Sequence, residues 1–543
     1  MEPDEHSKTI AKGALWGSAA AVAFKIISFV YTIIIARLVT QEEVGIFYFA
    51  VGLIGMFNTW ADFGLISTLS RYVPFFLGKK DIKSANTVIN LTVIVTSVTM
   101  VIIGLAIYFF AHDIAMFFNN PMVGPVLQVL AVYSIALQSY AVVNSLLVAL
   151  KMIKESSLGG NLQNLLKLVL TLVLLAALGA NAMALAVAMA VSYLLAALYM
   201  IWESTKVLKW THIKEKISLA SYAKMFKEIF PFGITITVAG IFSYFMTYID
   251  RILLSLLLVS DVNAQIGIYS MATTLAIVTI LFGSTITNIF LPVVSELVGA
   301  SNLGQLKKTS ATVLRWCLFA TVPVTVFVIA FSGLILRMLY GAAYEPGWFV
   351  LALFSAGMFI LQLGAIQRSI LTGMRYVGIE LIMAVAATMV NIIINVLLIP
   401  EYGINGAAAG GFFAFVTITV FSQYYARKYA GFEIPKSIYV NIFAGLVVLA
   451  ILAGIQAASY GTLANLALIK DPANSIISLI LNKTIIVGIL SLFAAAGALA
   501  YLSLVNLLHL YEQEDAAIFR KIIRKTGLPD AMVKKIAGLV FWG

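Results

Sequence analysis

Apolar runs long enough to cross a bilayer dominate this chain, with short polar breaks between them. A helix needs roughly 20 apolar residues to span the hydrocarbon. The pattern predicts about fourteen spans, over residues 12–38, 43–73, 85–111, 123–150, 157–178, 182–203, 228–258, 265–298, 309–337, 347–372, 379–400, 405–427, 437–459 and 478–508. Polar and small residues inside the runs recur at every third or fourth position, so each set lines one helical face. Ser18, Ala21, Lys25, Ser28 and Thr32 form one such face, and Gly160, Asn164, Lys167 and Thr171 a second. Gly233, Thr237, Gly240, Ser243, Thr247 and Asp250 form a third. Asn58 with Asp62, and Thr388 with Asn391 and Asn395, add shorter ones. Such stripes also serve ordinary helix packing in membranes.

The pattern repeats. Val44-Gly45-Ile46-Phe47-Tyr48 returns as Ile266-Gly267-Ile268-Tyr269-Ser270, and Gly179-Ala180-Asn181-Ala182 as Gly403-Ile404-Asn405-Gly406, at an offset of roughly 220 residues both times. Each unit holds six spans. An even number makes both units enter the membrane in the same direction, so their pseudo-two-fold axis lies along the membrane normal. The expected organisation is an N-terminal lobe over 1–203, an amphipathic linker over 204–227 and a C-terminal lobe over 228–428. Two additional spans over 437–508 and a basic amphipathic tail over 510–543 complete it. The fold class is all-α and polytopic, and a doubled membrane unit is the build of a secondary transporter.

Composition supports this reading. Of 543 residues, 62% are hydrophobic and only 11% charged, which excludes an ordinary soluble domain. The first 8 residues are polar, and the first apolar run is too long for a signal-peptide core and has no small-residue cleavage site, so it reads as a retained span. A formal charge of +11 is a common mark of nucleic-acid binding, but here its distribution follows topology. With the N-terminus inside, about 25 Lys and Arg fall on the cytoplasmic side and about four outside, as the positive-inside rule expects. Both termini are therefore expected in the cytoplasm of a cell (plasma) membrane protein, with no nucleic acid partner. The Lys-rich linker and the tail, where Arg520, Lys521, Arg524 and Lys525 alternate with Ile518, Phe519, Ile522 and Ile523, fit helices lying on an anionic leaflet.

Ionisable residues inside the hydrocarbon cost several kcal/mol and are functional candidates by default. The basic ones are Lys25, Arg71, Lys167, Arg251, Arg315 and Arg368; the acidic ones are Asp62, Asp250 and Glu296, with Glu380 at a boundary. Lys25 and Lys167 lie deepest, while Arg71, Arg315 and Arg368 are nearer the cytoplasmic ends, where long side chains can snorkel. Asp62 lies near the depth of Lys25, which leaves two readings: a structural ion pair, or a substrate or proton site that opens during transport. Asp250 and Arg251 are adjacent and point about 100° apart, so they are not expected to pair with each other. Asp62, Asp250 and Glu296 are the coupling or ion-pair candidates, for H+ or Na+. Pro231, Pro292 and Pro323 fall in or at the start of spans and predict kinks. No phosphate-binding glycine loop, metal-ligand spacing or nucleophile–base constellation is present, so no cofactor and no enzyme activity is expected. Cys317 is the single cysteine and excludes a disulfide within the chain.

Several motifs occur in a familiar order: Lys12-Gly13-Ala14-Leu15-Trp16, Ile35-Ala36-Arg37-Leu38, Glu43-Val44-Gly45-Ile46-Phe47, Asp62-Phe63-Gly64-Leu65 and Arg71-Tyr72-Val73-Pro74. Asp250-Arg251-Ile252-Leu253-Leu254 then leads to Ile266-Gly267-Ile268-Tyr269. Over roughly residues 8–430 the chain resembles the polysaccharide biosynthesis flippases, the O-antigen-flippase-like branch of the multidrug/oligosaccharidyl-lipid/polysaccharide (MOP) exporter superfamily. The resemblance implies a two-lobed fold like that of the multidrug (MATE) exporters. It implies flipping of a polyprenyl- or dolichyl-phosphate-linked oligosaccharide from the inner to the outer leaflet, with glycan-assembly enzymes as possible contacts. It also implies a cationic cavity: Lys25 on span one and Arg71 at the end of span two sit where its basic residues are expected, and Lys167, Arg315 and Arg368 match by position only. A diphosphate leaving water needs donors and positive charge, which agrees.

Three other readings compete. A multidrug antiporter of the same fold would favour an acidic cavity for cationic drugs. A membrane glycosyltransferase or polymerase would carry a large outer catalytic loop, whereas the longest here, about 460–477, holds little chemistry. A non-transporting scaffold of a surface assembly is the third.

Overall fold

The computed structural model describes residues 23–208, 218–467 and 476–508, and every regular element among them is helical. The chain runs through α1 over 23–38, α2 (Gln41–Ala61), α3 (Leu65–Gly78), α4 (Ile82–Phe117), α5 (Val123–Ala149), α6 (Ile153–Leu178), α7 (Ala182–Leu208), α8 (Leu219–Leu257) and α9 (Val262–Ala276). A 3-10 turn (Ile277–Ile280) leads to α10 (Leu281–Gly299), α11 (Leu303–Ala330), α12 (Ser332–Leu339), α13 (Trp348–Leu363), α14 (Ala365–Gly373), α15 (Val377–Tyr402), α16 (Ile404–Ala430), α17 (Lys436–Ala467) and α18 (Ile476–Leu507). Among the described residues, 13 segments are long and apolar enough to cross a membrane, and they follow the predicted spans two to fourteen in order. Of the first predicted span only 23–38 is described. The basic tail and the linker's 209–217 lie outside the described residues.

The structure corrects where helices break. The second predicted span divides at Asp62–Gly64 into α2 and α3, and the ninth divides at Phe331 into α11 and α12. The tenth divides at Gly364 into α13 and α14, and the eighth is interrupted by the 3-10 turn. Pro231, Pro292 and Pro323 each sit inside a continuous helix instead. Gly64 explains the first break: its φ of +69° is a left-handed conformation that suits glycine. A proline bends a helix without ending it when the rest of the hydrogen-bond ladder continues, whereas a left-handed residue turns the chain out of the helix.

The repeat extends into backbone detail. Gly179 (φ +88°) and Gly403 (φ +54°) both turn the chain between consecutive spans. Lys80 (φ +60°) and Ser301 (φ +53°) occupy equivalent helix ends. At the first, Asp81 N–H donates to Phe76 O and Lys80 N–H to Leu77 O; at the second, Asn302 N–H donates to Leu297 O and Ser301 N–H to Val298 O. This paired closure is a Schellman end. The next helix is then capped alike: Asp81 Oδ1 accepts from Ser84 N–H at 3.0 Å, and Asn302 Oδ1 from Gln305 N–H at 3.0 Å.

Contacts divide the chain into two compact units, Met1–Ser270 with Ile399–Gly403, and Met271–Leu398 with Ile404–Gly543. The lobe limits drawn from sequence symmetry (1–203 and 228–428) differ from these, because α8 packs against α2, α3 and α4. In the first unit, α5 packs on α4 and α7, and α6 on α7. Its core is built from Leu65, Leu69, Val88, Leu146 and Ile229, each buried. In the second unit, α16 packs on α13 and α14, and α11 on α10, α13 and α17. Outward faces stay apolar: Phe109 and Phe117 on α4 are both 72% exposed, as lipid contact requires.

Candidate functional site

The first unit holds the deepest polar group of the predicted path. On α6, Gly160, Asn164, Lys167 and Thr171 share one face, and this face meets α1. Ser28 Oγ donates to Asn164 Oδ1 at 3.4 Å, and Lys167 Nζ stands 4.4 Å from the centre of the Tyr31 ring. The two contacts have the same spacing, so α1 and α6 run side by side in one register. That register sets Lys25 level with residue 161, about two helical turns from Lys167. Lys167 is half-buried, and Asn164 and Thr171 are buried around it. Among the described residues no carboxylate lies within ion-pair distance of Lys167. Among the described residues its ammonium is held by the negative face of the Tyr31 ring, a contact that stabilises but does not neutralise a cation.

Lys25 is exposed on α1. The Lys25–Asp62 pair considered from sequence does not form among the described residues. Asp62 instead ends α2, where its Oδ1 accepts from Gly64 N–H at 3.1 Å and its carbonyl accepts from Leu65 N–H at 2.8 Å. The carboxylate thus braces the turn into α3, a local bond that sequence depth cannot distinguish from a long-range pair. Arg71 on α3 is exposed, with its guanidinium 4.2 Å from the Phe232 ring and 5.4 Å from that of Tyr72.

Asp250 and Arg251 lie at the other end of α8, both buried. Tyr269 on α9 donates its hydroxyl to Asp250 Oδ2 at 2.5 Å. Arg251 Nε donates to Ser270 Oγ at 2.9 Å, and its Nη1 to Thr247 O at 3.1 Å. The two adjacent charges of α8 thereby reach the two adjacent polar residues of the repeated motif on α9, and pin the two spans together.

Tyrosines complete the interior of this unit, and the sequence reading passed over them. Tyr133 and Tyr140 on α5 pack edge-on against Tyr193 on α7, with ring centres at 5.2 and 5.4 Å. Tyr244 and Tyr248 on α8 stack at 4.4 Å, and Tyr244 donates to Gly52 O at 2.8 Å. The signal available was their spacing, seven residues on α5 and four on α8, which puts each pair on one face.

The second unit carries the remaining candidates, of which Arg368 and Glu380 lie close enough to interact electrostatically. Arg315 on α11 is buried, and its Nη2 donates to Thr312 Oγ1 at 3.4 Å. Arg368 on α14 is half-buried, and its Nη1 donates to Leu361 O at 3.3 Å. Glu380 accepts from Thr372 Oγ1 at 2.6 Å. Glu296 is exposed near the end of α10. Among the described residues no group of His, Cys, Asp and Glu could hold a metal ion.

Comparison with known proteins places this geometry. A family model described as a polysaccharide biosynthesis protein matches residues 34–347, more than half of the chain. The membrane protein MJ1068 of Methanocaldococcus jannaschii is 22% identical over 437 residues, which cover 78% of this chain and 85% of that protein. The probable low-salt glycan biosynthesis flippase Agl15 of Haloferax volcanii is 21% identical over 241 residues, 44% of this chain and 48% of that protein. Among solved structures, the lipid II flippase MurJ in an inward closed conformation matches with a TM-score of 0.66 at 17% identity, over 91% of this chain and 99% of that one. An inward-facing multidrug resistance MATE family transporter of the MOP superfamily matches with a TM-score of 0.62 at 14% identity, over 75% of this chain and 94% of that one. At such identities the structural likeness is one of fold, and the fold is MurJ- and MATE-like. Because the family model matches residues 34–347, more than half of the chain, the chain belongs to the polysaccharide biosynthesis protein family.

Proposed function

We propose that this protein is a flippase of glycan biosynthesis that carries an oligosaccharide linked to a polyprenyl or dolichyl (di)phosphate from the inner to the outer leaflet by alternating access. The observation that carries the proposal is Lys167, a half-buried ammonium in the middle of a membrane helix with no carboxylate partner among the described residues. A cation left in that state is a standing cost, and an anionic headgroup removes it. Ser28 and Asn164 bond each other beside it, and Arg71 supplies a further exposed guanidinium on the same unit for the phosphate oxygens. Membership of the polysaccharide biosynthesis family and the likeness to Agl15 support the glycan part of the reading. In this proposal both termini face the cytoplasm of a cell membrane.

The test is flipping in proteoliposomes, with a fluorescent polyprenyl diphosphate oligosaccharide and a membrane-impermeant quencher. Wild-type protein should move the lipid, and a well-inserted Lys167→Ala protein should move it at least tenfold more slowly. A multidrug antiporter would instead exchange cationic dyes for H+ or Na+, and survival of that exchange in Lys25→Ala and Lys167→Ala would sink the flippase reading.

A further inference from the structure

The tyrosines of the first unit have no place in phosphate recognition, yet their arrangement is costly for mere packing. A phenol inside a membrane protein must satisfy its hydroxyl, whereas phenylalanine or leucine fills the same space without that demand. Here five phenols from α5, α7 and α8 gather in one place. Tyr193 touches Tyr133 and Tyr140, and Tyr248 stacks on Tyr244 and stands close enough to Tyr133 and Tyr193 to interact with them electrostatically. Arg251 lies 5.0 Å from the Tyr248 ring centre and closes one end of the row. The other end meets the Lys167 face, since a methyl group on Gly160 would come within 3.3 Å of the Tyr140 hydroxyl.

Two of these hydroxyls are unspent. Tyr244 is committed to Gly52 O, and Tyr133 and Tyr193 bond each other. Tyr140 and Tyr248 are half-buried, and their hydroxyls make no hydrogen bond among the described residues and are not fully enclosed. Ser243 and Thr247, on the same stretch of α8 as Tyr248, are exposed.

We infer that this tyrosine row is a carbohydrate-binding ledge: the aromatic faces receive the C–H faces of pyranose rings, and the Tyr140 and Tyr248 hydroxyls bond the ring hydroxyls. A sugar ring has just this division, an apolar face rimmed by donors and acceptors, and a phenol matches both parts. The order along the unit follows the proposed substrate, with the ammonium of Lys167 at the phosphate and the ledge starting about two helical turns away on the same face, at Gly160, where the first sugars follow. The inference rests on the flippase reading for its purpose but not for its test. Ring stacking tolerates differences between sugars, so chitotetraose serves as the glycan probe and farnesyl diphosphate as the phosphate probe.

The experiment is binding of each probe to the purified full-length protein by calorimetry. The double variant Tyr140→Phe/Tyr248→Phe keeps every ring in place and removes only the two free hydroxyls. It should weaken chitotetraose at least tenfold and lower the ratio of chitotetraose to farnesyl diphosphate affinity at least fivefold, while Lys167→Ala should raise that ratio. No chitotetraose binding by wild-type protein, or an equal loss of both probes in the double variant, would overturn the ledge. A wild-type protein that binds chitotetraose but flips no lipid-linked oligosaccharide would overturn the flippase reading and leave the ledge standing.

Discussion

Gly45 and Gly267, equivalent members of the two repeats, meet each other where α2 crosses α9. A Cβ built on Gly45 would lie 2.9 Å from Gly267 N and collide with Asn263 O; one built on Gly267 would lie 3.1 Å from Gly45 N and collide with Gln41 O. The colliding atoms are main chain, so no rotamer change relieves them. We predict that Gly45→Ala forces the helices apart and costs about 1–3 kcal/mol. Gly52→Ala on the same helix would meet only a Tyr248 ring carbon at 3.5 Å, an ordinary contact, and should be tolerated. Unfolding midpoints in an SDS titration test this, and equal midpoints for the two variants would refute it.

Lys25 and Lys167 should differ in what they tolerate. Lys167 rests on the Tyr31 ring, so Lys167→Arg keeps charge but must re-seat a larger planar group there. It should retain part of the flipping rate, on the order of one tenth, with Lys167→Glu losing it altogether. Lys25 is exposed, and Lys25→Ala should impair flipping far more than insertion. Wild-type flipping by well-inserted Lys25→Ala protein would remove Lys25 from the path.

Asp62 braces a turn, so its oxygen should matter more than its charge. Asp62→Asn keeps an acceptor for Gly64 N–H and should flip substrate within about twofold of wild type, whereas Asp62→Ala should lose about 1 kcal/mol of stability. Abolished transport in Asp62→Asn would restore Asp62 as a coupling-ion ligand.

Acid sensitivity can be read at Asp81, in the turn before α4. The backbone N–H of Ser84 and then its hydroxyl hold the Asp81 carboxyl below the usual carboxylate range, with Lys79 and Lys83 adding to the effect. The folded value is the lower one, so the stabilisation is fully present above the unfolded value of about 3.9 and is lost as pH falls through the folded value. The difference in unfolding midpoint between wild type and Asp81→Asn should therefore be the same at pH 7 and pH 5 and shrink at pH 3. A difference that changes between pH 7 and pH 5 would contradict the assignment.

Much of the architecture is legible in the sequence because each span carries its own apolar signal. Where spans break is not, as Asp62-Phe63-Gly64 shows: nothing in an apolar run marks that a glycine there turns left-handed, and Pro231, a stronger local signal, leaves α8 unbroken. The site divides the same way. Lys167 stands out because an ammonium at that depth is conspicuous on its own. Tyr140, Tyr193 and Tyr248 do not, since tyrosine is unremarkable in a membrane helix and their meaning lies in three helices converging. Asp62 misled for the opposite reason: its depth suggested a distant partner, and its bond is two residues away.

The crossing at Gly45 also bears on leakage. Side chains that plug a passage flicker on the picosecond-to-nanosecond scale, and small ions can slip past them. Two backbones in contact have nothing to flicker. In the proposed flippase the two helices would part at this crossing only by moving α2 or α9 as a body, on the microsecond-to-millisecond scale of helix displacement, so the contact itself would offer small ions no faster route than the motion that admits a large cargo.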